Sequence, residues 1–252
     1  MQRRFQGQAD ARLDGVGRAQ ARAAARQLAA VRPRAIVSSD LSRAAQTAAE
    51  LAAVTGLTVT LDARLREGSL GYWEGLTREE VRRRYPQEYA DWISGHPGRR
   101  GGGELRTEVA ARAVAGLAAL PADAADELPD DLSGGRSTEL ATLPVVLVTH
   151  SATAMALTGH LLGLPESLWR TIAPLANCHW SELRQQGGGW QLRSHNVGTV
   201  TPRIPPGGTG PAPEQAGGHP AESAAQADRI VPASVDVEAL DGPEGSPAAR
   251  TS

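Results

Sequence analysis

The chain contains no lysine: all 26 of its basic residues are arginine. Cys178 is its one cysteine, which excludes an intramolecular disulfide framework and a cysteine-rich zinc site. It also lacks a charge excess, with a formal balance of −2 over 252 residues. Nucleic acid is therefore not an expected partner, because a phosphate backbone selects strongly basic surfaces. No apolar run reaches the length of a transmembrane helix, roughly 20 residues. The first residues carry no charged-then-apolar leader. A cytoplasmic protein without a membrane partner is the expectation. What remains is 40% apolar, enough for one α/β core of ordinary size or at most two small ones. The wealth of arginine, alanine and glycine reads as codon bias.

Helix and strand patterns alternate along the chain. Val16, Ala19, Ala23 and Leu28 fall near helical spacing from Gly15 to about Val31, before Pro33. Ala35-Ile36-Val37 reads as a buried strand, Leu41 to Thr55 as a helix closed by Gly56, and Leu57 to Leu61 as a second strand. The aperiodic Arg64 to Gly75 reads as a loop. Thr77 and Glu80 form a capping box that opens a helix interrupted by Pro86. Leu105 to Leu120 is helical. Pro144 to Thr149 is an apolar run suited to the centre of a sheet, and Ala152 to Leu162 is the helix after it. Two late runs, His179 to Gln185 and Trp190 to His195, read as an antiparallel pair. This order predicts an α/β three-layer sandwich, a mainly parallel sheet between helices. One domain is expected over 1–198, with a loop insertion at about 121–143. From Thr199 to Ser252 the composition shifts to proline, glycine, alanine and acid, which predicts a disordered tail.

In parallel sheets ligands bind beyond the carboxyl ends of the strands, and three chemically capable residues lie there. Arg43 starts the helix after the first strand, Glu67 lies in the loop after the second, and His150 follows the apolar run directly. An arginine fork at a helix N-terminus suits a phosphate dianion. A histidine and a carboxyl group facing the same point could move protons to a leaving alkoxide. Singly, Arg43 is an ordinary helix-surface residue and Glu67 an ordinary loop acid. Their arrival with His150 at one sheet edge favours function.

The motifs around these residues resemble the histidine phosphatase (phosphoglycerate mutase-like) superfamily. Arg4-Phe5-Gln6-Gly7-Gln8, with Leu13, Gly17 and Gln20-Ala21, is similar to the family's first loop and helix. Ser38 to Ala48, with Arg43 inside it, resembles the phosphate-gripping signature. Leu65-Arg66-Glu67, Gly71 and Trp73-Glu74-Gly75-Leu76 resemble the acid loop, and Val146 to His150 the strand bearing the family's second histidine. Gly101-Gly102-Gly103-Glu104-Leu105 and Asn177-Cys178-His179-Trp180 are similar to actinobacterial members, including glucosyl-3-phosphoglycerate phosphatases. The resemblance implies Glu67 and His150 as catalytic residues, with Arg43, Gln6, Gly7 and Ser151 at the phosphate. It implies phosphohistidine chemistry on a small phosphorylated metabolite, with no metal and no cofactor. A homodimer is left open.

Two departures from that pattern matter. The family's Arg-His-Gly motif, which carries the nucleophilic histidine on a central first strand, lies upstream of the Gln-Gly loop, and this chain begins inside that loop. The chain as given is therefore expected to be truncated and inactive, through a start codon placed too far downstream rather than a genuine loss. His96, His160, His179, His195 and His219 do not follow a strand at the required place. Secondly, glycines usual after the second histidine are replaced by Ser151, Ala152 and Thr153. A phosphate-binding pseudoenzyme or regulatory module and a phosphoglycerate mutase-type phosphotransferase are the alternatives. Ser151 as the nucleophile of a hydrolase elbow is disfavoured, because Thr149 and Thr153 stand where that turn needs glycine. Arg99, Arg100 and Arg106 could recognise a carboxylate or second phosphate, or form a solvated basic loop.

Overall fold

A computed structural model describes residues 4–120 and 143–198, together with the backbone of Arg229–Ser234. Of the expected insertion at 121–143, only Leu143 falls within the described residues. Helix α1 (Gly15–Ala29) is started by Asp14, whose carboxylate accepts the Gly17 N–H at 2.8 Å. Strand β1 (Ala35–Ser38) follows, then α2 (Ser42–Thr55). Leu41 offers α2 no side-chain cap. Asp10 supplies one from the N-terminal loop, accepting Ser42 N at 2.6 Å and Ser42 Oγ at 2.7 Å. Gly56 ends α2 at φ +76°, the left-handed cap glycine tolerates. Strand β2 (Val59–Leu61) is shorter than the pattern predicts.

The loop from Arg64 to Gly75 contains 3-10 turns at Ala63–Leu65 and Gly71–Trp73, too short to leave a period in the sequence. The Thr77–Glu80 capping box opens α3 (Arg78–Arg84), and Pro86 sits at the first position of α4 (Pro86–Ser94). Next come α5 (Arg106–Ala118), β3 (Val145–Thr149) and α6 (Ser151–Leu161). Strands β4 (Trp180–Gln186) and β5 (Gly189–Val197) pair antiparallel, as expected.

Strand order is β2-β1-β3-β6-β4-β5. Strands β2, β1, β3 and β6 run parallel, whereas β4 is antiparallel to β6. β3 shows why three layers form. Its five residues are buried and alternate between faces. Val146 and Val148 pack with Ala25, Leu28, Ala44, Ala48 and Leu51 of α1 and α2. Val145 and Leu147 pack with Ala113 and Leu157 of α5 and α6. Each such buried valine or leucine side chain contributes about 1.5–3 kcal/mol.

Strand β6 (Arg229–Ser234) takes the position between β3 and β4, pairing Val145↔Ile230 through Thr149↔Ser234. Composition alone reads all of 199–252 as disordered, and Arg229–Ser234 departs from that reading. The unpaired edge of β3 supplies the reason, since backbone N–H and C=O groups at the centre of a sheet require partners. The remainder of that stretch lies outside the described residues.

Candidate active site

The carboxyl ends of β1 and β3 lie side by side, with Ser38 in register with Val148. This brings Ser39 next to His150. His150 is fully buried, and its Nε2 lies 2.9 Å from Ser39 Oγ. Four residues beyond Ser39, the α2 helix carries Arg43, which is also buried. Its guanidinium donates to the carbonyls of Ala9 at 2.8 Å and Gly7 at 2.9 Å, binding the N-terminal loop to the sheet edge. Gly7 is obligatory there. Its φ is +50°, and a Cβ would stand 2.3 Å from Glu74 Oε1.

Glu67 meets His150's own helix. Its Oε1 accepts from Gly68 N at 2.8 Å and Thr153 N at 3.2 Å, and its Oε2 from Ala152 N at 3.2 Å. The carboxyl group thus sits at the N-terminus of α6, where N–H groups lack helical partners and the dipole favours an acid. Thr153 donates its hydroxyl to Arg66 O at 2.8 Å and lies 3.2 Å from Glu67 Oε1. It fastens the acid loop. Ser151 is buried, with its hydroxyl directed to Leu175 O at 3.4 Å. Gln6 is exposed and contributes a backbone carbonyl to the Ala9 N–H.

The sheet edge therefore brings Arg43, Glu67, His150, Gly7 and Gln6 into neighbouring segments, and engages Ser151 with the 175 segment. The other histidines lie elsewhere. His179 Nδ1 pairs with Asn196 Oδ1 at 2.9 Å. His195 Nε2 meets the Ala173 carbonyl at 2.8 Å, which makes it the protonated nitrogen and leaves Nδ1 to accept from Ser181 Oγ at 2.7 Å. His96 and His160 are exposed, and His219 is outside the described residues.

Several supporting residues escape a sequence reading. Arg112 on α5 uses every donor of its guanidinium. Nε and Nη2 hold Glu104 at 2.8 and 3.0 Å, Nη1 holds Arg64 O and Arg66 O at 2.7 and 2.6 Å, and Nη2 also reaches Glu67 O at 3.0 Å. Burial alone would raise the Glu104 carboxyl, but Arg112 and the Ser69 N–H keep it below its ordinary range. Gln8 Nε2 donates to Glu67 O at 3.1 Å, tying the Arg43-bound loop to the acid loop. Asp40 forms a two-pronged pair with Arg66 at 2.7 and 2.6 Å, which holds its carboxyl below the usual range. Glu104 precedes α5 and its N-cap Leu105, so no helical spacing in the sequence pairs it with Arg112. Among the described residues, no cluster of three or more His, Cys, Asp or Glu could hold a metal ion, and no helix is long and apolar enough to cross a membrane.

The sequence profile of the histidine phosphatase superfamily (branch 1) matches residues 1–198. A glucosyl-3-phosphoglycerate phosphatase of Mycobacterium tuberculosis is 40% identical over 185 residues, covering 71% of this chain and 77% of that protein. A probable phosphoglycerate mutase of Yersinia pestis is 33% identical over 189 residues, covering 75% and 80%. The structure of a mycobacterial glucosyl-3-phosphoglycerate phosphatase with inorganic phosphate superposes with a TM-score of 0.67 at 36% identity, over 79% of this chain and 93% of that one. By that profile over residues 1–198 and the identity to a curated phosphatase, the chain belongs to the histidine phosphatase superfamily and is by family a phosphatase.

Proposed function

We propose that this chain supplies the phosphate-gripping and proton-transferring part of a metal-independent phosphomonoesterase. Its substrates belong to the sugar-phosphoglycerate class named in its mycobacterial relatives. The observation that carries the reading is the coupling of Glu67 to His150: the carboxyl group is held by the first N–H groups of the helix that His150 begins. In this reading Arg43 and His150 hold the equatorial oxygens of the phosphoryl group. A histidine from the Arg-His-Gly strand attacks phosphorus in line. The P–O ester bond breaks, and Glu67 protonates the leaving oxygen. Glu67 then takes a proton from water, which attacks the phosphohistidine and releases phosphate. Among the described residues His150 is the histidine at this sheet edge, and this reading gives it the phosphate oxygens rather than the attack on phosphorus.

The test compares the 252-residue chain with a polypeptide extended at its N-terminus by an Arg-His-Gly strand, both in EDTA. The extended form is expected to hydrolyse phosphoglycerate-type esters and to trap an acid-labile phosphohistidine, whereas the short chain does neither. An extended form that binds phosphate esters without hydrolysis indicates a regulatory module instead. One that moves phosphate between hydroxyl groups without releasing it indicates a mutase.

A further inference from the structure

Three arginines surround the glycine-rich turn, and the structure separates them. Arg99 is engaged: Nη1 and Nη2 reach the Glu108 carboxylate at 2.7 and 2.5 Å, and Nη1 also holds Gly103 O at 2.8 Å. Arg100 lies over the Trp92 ring, its Cζ 5.7 Å from the centroid. Arg106, the first residue of α5, is half-buried, and its side chain makes no hydrogen bond or ion pair among the described residues. Its Nε is buried and unpartnered. Burial and the neighbouring Arg170 lower its pKa, against the pull of Glu166. A cation so placed is unfavourable until an anion joins it.

Arg100 and Arg106 line one recess, open to solvent and shared with Glu67, Val109, Ala152 and Ala156. Glu104 also borders it, but that carboxylate is engaged by Arg112 and the Ser69 N–H and makes no pair with Arg106. Position gives the recess its meaning. If Glu67 protonates the departing oxygen, the alcohol part of the ester lies on the Glu67 side of the phosphate, in this recess.

The geometry points to Arg106, together with Arg100, as the residue that selects the leaving group: a phosphomonoester whose alcohol part carries a second anionic group, a carboxylate or a further phosphate. The inference rests on the phosphatase reading above. Arg106 is a specificity residue and takes no part in bond breaking. A guanidinium fork matches either anion with two parallel hydrogen bonds.

Calorimetric titration of the 252-residue chain tests it with inorganic phosphate, glycerol 3-phosphate, 3-phosphoglycerate and propanediol bisphosphate. The ligands with a second anion are expected to bind about tenfold tighter than glycerol 3-phosphate, the worth of one charge-assisted pair. The preferred ligand of the two identifies the anion. Arg106→Gln should erase that margin and leave inorganic phosphate binding unchanged, while Arg99→Gln should keep the margin. Phosphate binding with no margin, or with a margin that survives Arg106→Gln, overturns this inference alone. A chain that binds none of the four overturns the phosphatase reading and this inference with it.

Discussion

Replacing Arg112 by methionine keeps much of the side chain's bulk and removes its five hydrogen bonds, two to Glu104 and three to the carbonyls of Arg64, Arg66 and Glu67. Removing one partner of a fully buried ion pair costs about 3–5 kcal/mol. The Arg112 and Glu104 side chains retain 19% and 24% of their accessible surface, so water weakens that term to about 2 kcal/mol. The three carbonyls, left to water or to nothing, add roughly 1 kcal/mol between them. The expected loss is about 3 kcal/mol, or roughly 10 °C in melting temperature for a domain of this size. Urea unfolding of Arg112→Met, Glu104→Gln and the double variant measures it. The two single losses should exceed the double loss by about 2 kcal/mol, because the two side chains are one unit. Additive losses, or an Arg112→Met loss below about 0.5 kcal/mol, would refute the view that this arginine organises the acid loop.

Acid lability follows from Asp10, Asp40 and Glu104, each held below its ordinary value in the fold. A depressed carboxyl pKa adds stability above the unfolded value and loses it as pH falls through the folded one. Unfolding midpoints should therefore be flat above about pH 5 and fall below about pH 4; a midpoint that rises on acidification would contradict the assignment. A chain ending at Gly198 leaves the β3 edge facing β4 without the β6 ladder. It should aggregate or melt more than about 10 °C lower, and a melt within about 2 °C of the full chain would show that β6 contributes nothing.

Most of the layered core is legible in the sequence because period and punctuation agree there. Gly56, Pro86 and the Thr77–Glu80 pair mark element ends that the structure reproduces. β3 shows its buried character in an unbroken apolar run. Strand β6 could not be read. It spans six residues, contains Pro232, which argues against an interior strand, and owes its place to the edges of β3 and β4. The candidate residues Arg43, Glu67 and His150 stand out in the sequence by their position at strand ends. Their anchors do not. Asp10 capping α2, Gln8 bridging two loops and Arg112 gathering three carbonyls join residues 32 to 96 positions apart. No periodicity encodes such contacts. Likewise, three arginines near one glycine-rich turn look equivalent in sequence, and only the fold distinguishes Arg99, engaged by Glu108, from Arg106, whose buried Nε has no partner among the described residues.

Phosphorus NMR of the 252-residue chain titrated with inorganic phosphate bears most directly on whether guanidinium and imidazole share one anion. The parent should give a saturable shift that Arg43→Ala and His150→Gln each abolish, with circular dichroism showing both variants folded. Saturable binding that persists unchanged in both folded variants would place the anion elsewhere and contradict the account.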